Sequence, residues 1–152
     1  MKRFIMLIVA IGLVLVGCVQ GEANENNEKI SNTPKEALIK LHLEEGFAEV
    51  IEIYETIEIS EDRVISVYKG IMDDEIIKNE EDIFVANIEK KDDVWIATDA
   101  TSIGLPSVEQ FDQSSLTEKF QAGYTIEKEM STAKRKIINI NNNDINVWID
   151  VF

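Results

Sequence analysis

Few side chains in this sequence could act as nucleophiles or as soft metal ligands. The 152 residues include one cysteine, Cys18, and one histidine, His42. These numbers make most zinc sites and histidine-based catalytic triads hard to build. The chain also lacks a P-loop and the motifs G-x-S-x-G, H-E-x-x-H and G-x-G-x-x-G. We therefore expect a protein that is not an enzyme and has no cofactor, with His42 in a structural role on a helix.

Carboxylates are the chemical group that the chain has in excess, with 29 Asp and Glu residues. Two acidic runs bracket a predicted turn, and converging carboxylates bind Ca²⁺ through their oxygens. The candidate metal ligands are Asp73, Asp74, Glu75, Glu80, Glu81 and Asp82. Because the EF-hand loop pattern is missing, we favour a solvated charged loop over a metal site. A hydrolase that uses two carboxylates at a fixed separation is an alternative that this composition allows.

The overall composition excludes several classes of protein. With 45% hydrophobic and 29% charged residues, the chain fits neither wholesale disorder nor a polytopic membrane protein. Lys and Arg together number 15, and the formal net charge is −14. Because phosphate binding depends on clustered Lys and Arg, we expect no nucleic-acid partner.

The first residues have the organisation of an export signal. Basic residues stand at positions 2 and 3, and residues 4–16 are apolar apart from one glycine. This apolar stretch is shorter than the run of about 20 residues that a membrane-spanning helix needs. A small residue, Gly17, then precedes Cys18. The pattern predicts a signal peptide over residues 1–17.

The end of the signal resembles the lipobox of bacterial lipoproteins, in the run Leu15, Val16, Gly17 and Cys18. The resemblance implies that a diacylglyceryl group is attached to the Cys18 sulfur and that the signal is cut before this residue. Two acyl chains give stable anchoring, whereas one gives only marginal membrane binding. Val19 is not the aspartate that marks retention in double-membrane bacteria. The chain is therefore similar to small uncharacterised lipoproteins of spore-forming Gram-positive bacteria, which implies a palmitate-type anchor on the extracytoplasmic face of the cell membrane.

Residues 18–32 are predicted to form the lipidated N-terminus and a flexible tether. After Cys18 this segment is mostly Glu, Asn and Gly, and it is too polar to bury the surface that would offset its ordering entropy. A flexible chain of this length spans about 20 Å on average. Residues 33–152 are predicted to form a single small α+β domain, with sub-units 33–101 and 117–152 as an alternative division.

The domain opens with clear helix signals. Thr33 and Glu36 have the spacing of a capping box, and Pro34 suits the first helical position. Apolar residues then recur at helical spacing, and Gly46 is placed to end the helix. We predict a helix over residues 34–45.

From Phe47 onward the apolar period changes to two, which is typical of strands. We predict an antiparallel meander with returning strands at 63–69, 83–89 and 94–100. In its first strand, one face would hold Ile51, Ile53, Ile57 and Ile59, with Glu55 as the mark of a bulge. The strand aromatics form either the core, which we favour, or an open ligand face: Tyr54, Tyr68, Phe84 and Trp95.

The second part of the domain has weaker signals. Its first segment is predicted to be a connection with a short helix that contains Val108, Phe111 and Leu116. Three more strands are predicted at 124–128, 135–141 and 145–152, with a turn at 141–144. The fold class is therefore α+β, with an N-terminal helix packed on an antiparallel β-meander and further C-terminal antiparallel strands. This element order resembles that of cystatin and NTF2-type folds.

These features together favour a lipid-anchored binding or accessory domain whose partner is a protein or a small ligand. Two other functions remain open: a carboxylate-based surface hydrolase, and an acidic cation-binding protein associated with the cell wall. A deep pocket with two facing carboxylates would favour the hydrolase. A carboxylate cluster would favour the cation-binding protein, and a grooved apolar patch would favour protein binding.

Overall fold

The computed structural model describes residues 31–72, 80–126, 131–140 and 144–152. Several sequence predictions lie outside the described residues, namely the signal peptide, Cys18, nearly all of the tether, the run Asp73–Glu75 and most of the turn at 141–144. Within the described part, the chain forms one α-helix, one short 3₁₀ helix and eight strands in two antiparallel sheets. The predicted α+β class is therefore correct.

Helix α1 (Pro34–Glu45) has the bounds that its capping signals predict. The Thr33 Oγ1 accepts the Glu36 N–H at 3.2 Å, and the Glu36 carboxylate accepts the Thr33 N–H at 3.2 Å. This reciprocal pair satisfies backbone donors that the first helical turn leaves without partners. At the other end, Gly46 adopts a left-handed φ of 67°, and its N–H donates to the His42 carbonyl. Local chemistry alone thus fixes both ends of α1.

Four strands form the first sheet in the order β1-β2-β3-β4, and all neighbours are antiparallel. They are β1 (Glu49–Ser60), β2 (Arg63–Met72), β3 (Glu80–Lys91) and β4 (Val94–Ser102). Strands β2, β3 and β4 extend past their predicted ends because backbone pairing continues beyond the residues that alternate in the sequence. At the β3–β4 turn, Asp92 and Asp93 have positive φ angles of 49° and 65°, which Asp tolerates better than most residues.

The C-terminal strands form a second, separate sheet in the order β5-β6-β8-β7. They are β5 (Ser114–Leu116), β6 (Phe120–Thr125), β7 (Arg135–Asn139) and β8 (Asn146–Val151). Strand β6 begins four residues before its predicted start. Phe120, Ala122 and Tyr124 face the core in alternation. This alternation is hard to recognise in the sequence because the middle of the strand consists of the small residues Ala122 and Gly123.

The structure corrects the prediction between β4 and β6. Val108–Asp112 form a 3₁₀ helix, but Val108 is 82% exposed. Leu116 lies in strand β5, where it pairs with Gln121. Of the three apolar residues predicted to share a helix, only Phe111 packs against the core. Helical spacing is misleading here because tertiary pairing with the edge of β6 overrides a weak local pattern.

The two sheets pack face to face, and α1 covers the opposite face of the first sheet. One cluster joins the two sheets, and it contains Ile65, Val67, Ile83, Val85, Ile103, Phe120, Ala122, Tyr124, Ile138, Ile140, Val147 and Ile149. A second cluster lies under α1, and it contains Ala37, Leu38, Ala48, Val64, Tyr68, Phe84, Ala86 and Ile88. Because β2 and β3 are covered on both faces, their side chains are buried in unbroken runs at 64–68 and 83–88.

The predicted bulge at Glu55 is confirmed, but the predicted common face of β1 is wrong because this bulge itself moves the following residues to the other face. The pairing with β2 shifts register three times, once between Ile53 and Glu55. A bulge adds one residue and so sends the following side chains to the opposite face. Accordingly, Ile53 packs in the cluster under α1, whereas Ile57 and Ile59 pack between the sheets. Ile51 packs in neither cluster and is 47% exposed.

The strand aromatics belong to the core, as we favoured. Tyr68 and Phe84 are buried, and their ring centroids lie 5.4 Å apart in a stacked pair. Burial raises the pKa of the Tyr68 hydroxyl well above its usual value. Tyr54 and Trp95 are half-buried against the two clusters. No open aromatic face is formed by these four side chains, although Trp95 also borders a surface groove.

Candidate functional site

Of the two acidic runs, the structure describes the second, Glu80–Asp82. These residues begin strand β3, so alternation sends Glu81 to one face and its two neighbours to the other. Glu81 pairs with Lys69 of β2, and Asp82 accepts hydrogen bonds from the Ser102 hydroxyl and from a backbone N–H. Across the described ranges, no three His, Cys, Asp or Glu side chains are grouped as a metal site requires.

His42 lies in the last turn of α1 and has a structural contact. Its Nδ1 is 2.7 Å from the carbonyl oxygen of Phe47. This hydrogen bond spans the connection between α1 and β1. Within the described residues, no nucleophilic side chain is hydrogen-bonded to this imidazole. The arrangement gives no basis for a His-activated nucleophile.

A groove between α1 and β4 has the form of a binding site. Its volume is about 440 Å³, within the range of about 300–1,000 Å³ that ligand sites occupy. Small and apolar side chains form its floor, including Leu41 and the half-buried Trp95, and Ile96 lines it at 42% exposure. Charged side chains, among them Lys40 and Lys91, stand at its rim. The lining is therefore apolar in part and charged in part, with Glu44, Glu45 and Asp92 beside the two lysines, and its apolar part is the kind of groove that would favour protein binding.

Beside the groove, the apolar arc of α1 is wider than the surface that the sheet covers. The helix lies mainly against β4, at one edge of the sheet, with fewer contacts to β1 and β3. The α1 residues Ala37 and Leu38 are buried against the sheet. Ile39 and Leu43, which widen the apolar face in the sequence, are 38% and 64% exposed. Part of the apolar surface of α1 therefore stays accessible.

The two edges of the first sheet are protected differently. Strand β1 has three register shifts and carries glutamates at positions 49, 52, 55 and 58, and such bulges and charges discourage pairing with another chain. Strand β4 has one shift, beside Thr98, and no charged residue between Val94 and Thr98. The outward N–H of Trp95 donates to the Ser31 carbonyl at 2.8 Å. Strand β4 is thus the edge to which the chain just before α1 is already hydrogen-bonded.

Two carboxyl groups have pKa values below their usual range. Arg135 donates to both oxygens of Asp150, at 2.7 and 2.6 Å, and this lowers the Asp150 pKa although burial opposes the shift. Burial by itself would raise the pKa of Glu89, but hydrogen bonds from Lys119 and Asn87 outweigh it. A general acid in a carboxylate hydrolase needs the opposite shift. The geometry at these two groups therefore gives the hydrolase no support.

The sequence interpretation did not identify Ile96 or the neighbouring helix residues Lys40 and Leu41 as site residues. One signal was present, because Val94–Ile96 are three consecutive apolar residues in a strand predicted to alternate. In such a run at least one apolar side chain faces away from the core unless both faces are covered. At the edge of the sheet β4 is only partly covered, so Ile96 lies at the surface.

Among the described residues, no helix has the length and apolarity needed to cross a bilayer. Comparison of the chain with known protein families, with curated proteins and with solved structures found no match.

Proposed function

We propose that the protein is a lipoprotein, anchored in the cell membrane through a diacylglyceryl group on Cys18, with a binding domain on the extracytoplasmic side. The observation that carries the proposal is the run from Leu15 to Cys18, which ends a short apolar stretch and precedes a polar segment. An export signal explains why the only cysteine of the chain stands at this position. With a net charge of −14, the chain is repelled by anionic lipid, which keeps the domain off the membrane surface.

The place where the tether meets the folded body supports this arrangement. Ser31 is 1% exposed, and its carbonyl accepts the Trp95 N–H. The chain therefore joins the body at β4, beside the α1–β4 groove. The tether predicted between Cys18 and Ser31 would span about 20 Å on average if it behaves as a flexible chain. In an anchored protein, the groove would stay close to the membrane.

We also propose that the helix and the first sheet have the element order of a known type of fold. Helix α1 contacts β4, β1 and β3, and the strands of the first sheet follow it in chain order. A helix followed by an antiparallel meander is the element order of cystatin and NTF2-type folds. We propose this likeness from element order, with the second sheet as an addition to that plan.

Replacing Cys18 by serine should abolish the incorporation of labelled palmitate. Because two acyl chains supply the stable anchor, the membrane-bound fraction of the mature protein should fall roughly tenfold or more. Metabolic labelling and fractionation of cells measure both effects. Val16→Ala, at the tolerant position of the lipobox, is the matched control and should leave both unchanged. Palmitate labelling or full membrane retention of Cys18→Ser would refute the anchor.

The binding part of the proposal places a segment of a partner protein in the α1–β4 groove. An extended segment can pair with an exposed sheet edge while its side chains enter adjacent pockets. Strand β4 offers that edge beyond Trp95, whose N–H is already donated to Ser31, since this part of the strand up to Thr98 lacks the charges and repeated bulges that protect β1. Leu41 and Trp95 offer the apolar floor for an inserted side chain.

A photo-crosslinking residue in place of Ile96 should join the protein to a discrete partner on intact cells. The same residue in place of Leu116, which is 69% exposed on the second sheet, should give no such product. Leu41→Glu puts a charge on the groove floor and should reduce crosslinking from position 96 about tenfold, equivalent to about 1.4 kcal/mol. If positions 96 and 116 gave equal crosslinking, or if Leu41→Glu had no effect, the partner would not bind in the α1–β4 groove.

No observation on the described residues favours the two alternative functions. A cation-binding protein would need converging carboxylates, and the described part of the chain contains no group of three ligand residues. A carboxylate hydrolase would need an acid with a raised pKa, whereas the pKa values of Glu89 and Asp150 are lowered. The run Asp73–Glu75 lies outside the described residues, so its predicted role as a candidate ligand set stays a prediction.

A further inference from the structure

A second depression lies at the opposite end of β4 from the tether, where the chain leaves this strand and approaches β5. Its volume is about 270 Å³, and its polar lining consists of Ser102, Gln110, Gln113, Ser114 and Ser115. We propose that this depression, the Ser/Gln pocket, binds a neutral sugar unit of a glycan. The proposal goes beyond the binding function of the α1–β4 groove and does not depend on it.

The hydroxyl groups of the Ser/Gln pocket are held in fixed orientations. The Ser102 hydroxyl donates to the Asp82 carboxylate and accepts the Gly104 N–H at 3.1 Å. The Ser115 hydroxyl donates to the Ser102 carbonyl at 2.7 Å, and the Ser114 hydroxyl accepts from a glutamine amide of β6 at 2.8 Å. Because these side chains are fixed before binding, less entropy is lost in ordering the protein when a ligand binds.

The two glutamines supply groups that the protein itself does not use. Gln110 and Gln113 make no side-chain hydrogen bond within the described residues. Gly104 has a φ of 77°, and a Cβ at this position would lie 2.9 Å from the Gln110 amide. Glycine therefore lets this amide lie close against the wall of the pocket. Each amide offers two donors and one acceptor, which suits sugar hydroxyls because they both donate and accept.

The chemistry of the lining selects against other classes of ligand. None of the described lining side chains is charged, so an anion would find no cation there. A cation would find no carboxylate in this lining, and both oxygens of the nearby Asp82 are already hydrogen-bonded. An apolar ligand would meet one aliphatic side chain, Ile103. A neutral molecule rich in hydroxyl groups can satisfy the free amides without burying an unpaired charge.

The position of the pocket suits a large polymer. The tether joins the body at Trp95, and the pocket begins at Ser102 of the same strand. At about 3.3 Å per residue, these two positions lie about 23 Å apart along β4. The Ser/Gln pocket is therefore remote from the point where the chain would run to the membrane, and a glycan can approach it freely.

Saturation-transfer NMR on the full-length protein, in a detergent without a sugar headgroup, should detect binding of the disaccharide of N-acetylglucosamine at millimolar concentration. Gln110→Ala should weaken this binding about tenfold, since it removes an amide that only the ligand uses. Circular dichroism should show an unchanged fold, because the Gln110 side chain makes no internal hydrogen bond in the described part of the chain. Gln20→Ala in the predicted tether is the matched control and should bind like the parent.

Three results would overturn the proposal. The first is no saturation transfer to this disaccharide or to methyl glucoside at tens of millimolar. The second is a transfer signal that Gln110→Ala leaves unchanged. The third is displacement of the sugar by inorganic phosphate or Ca²⁺ at low millimolar concentration, which would assign the pocket to an ion. None of these results affects the groove, because that proposal is tested by crosslinking from position 96.

Discussion

Replacing Phe84 by alanine is expected to lower the free energy of unfolding by about 3–5 kcal/mol. Phe84 is 1% exposed in β3, its ring stacks on Tyr68 at 5.4 Å, and it meets the Phe47 ring edge-on at 5.5 Å. The substitution removes both ring contacts and leaves a cavity between α1 and the first sheet. Gly70 shows how tightly this site is packed, because a Cβ there would lie 3.1 Å from the Phe84 ring.

Urea unfolding of the full-length protein, followed by far-ultraviolet circular dichroism, measures this loss as a lower midpoint at an unchanged m value. Phe152→Ala provides the same chemical change at a side chain that is 61% exposed. This control should change the free energy of unfolding by less than about 0.5 kcal/mol. If Phe84→Ala were as mild as Phe152→Ala, the cluster under α1 would not be packed as described.

Features that depend on neighbouring residues in the chain could be predicted from the sequence. Both ends of α1 follow from side chains within a few residues of each end, Thr33 and Glu36 at the start and Gly46 at the end. The strands of the first sheet could be placed by their alternation, and the turn at Asp92 and Asp93 by its composition. In each case, the physical cause lies inside a short segment of sequence.

Features that depend on pairing between distant segments could not be predicted. The sequence marks one bulge of β1, at Glu55, but the faces of the strand depend on three register shifts in its pairing with β2, and each shift reverses the side on which later residues lie. Thus Ile53 and Ile57 have the same parity in the sequence but pack on opposite sides of the sheet. Likewise, Leu116 lies in a strand because β6 provides an edge for it.

The candidate sites belong to this second kind of feature. The groove requires α1 to lie against β4, and the Ser/Gln pocket requires the segment around Gln110 to return to the end of β4. Neither residue type nor spacing brings Leu41 near Trp95, or Gln110 near Ser102. Cys18, by contrast, was identified from its own neighbours in the sequence, since its predicted modification depends on a linear motif.

Arg63→Ala is expected to lower the free energy of unfolding by roughly 2–4 kcal/mol, because this guanidinium joins the two sheets. Its Nε donates to the Asn87 side chain at 2.6 Å, its Nη1 to the Phe152 carbonyl at 2.7 Å and its Nη2 to the Lys119 carbonyl at 3.0 Å. Asn87 has 0% exposure, so removal of the guanidinium leaves a buried amide oxygen without this donor.

Arg135→Ala is the control, because this guanidinium lies on a more exposed surface, where it donates twice to one partner, Asp150, and lies 4.9 Å from the centre of the Trp148 ring. The side chains of this pair are 40% and 29% exposed, and such pairs contribute about 0–1 kcal/mol. Arg63→Lys should recover only part of the loss, since one ammonium cannot reach three acceptors in the geometry of the guanidinium fork. If urea unfolding showed that Arg63→Ala and Arg135→Ala lower the free energy of unfolding by the same amount, Arg63 would not hold the sheets together. The hydrogen bonds predict that Arg63→Ala lowers the free energy of unfolding most, Arg135→Ala least, and Arg63→Lys by an intermediate amount.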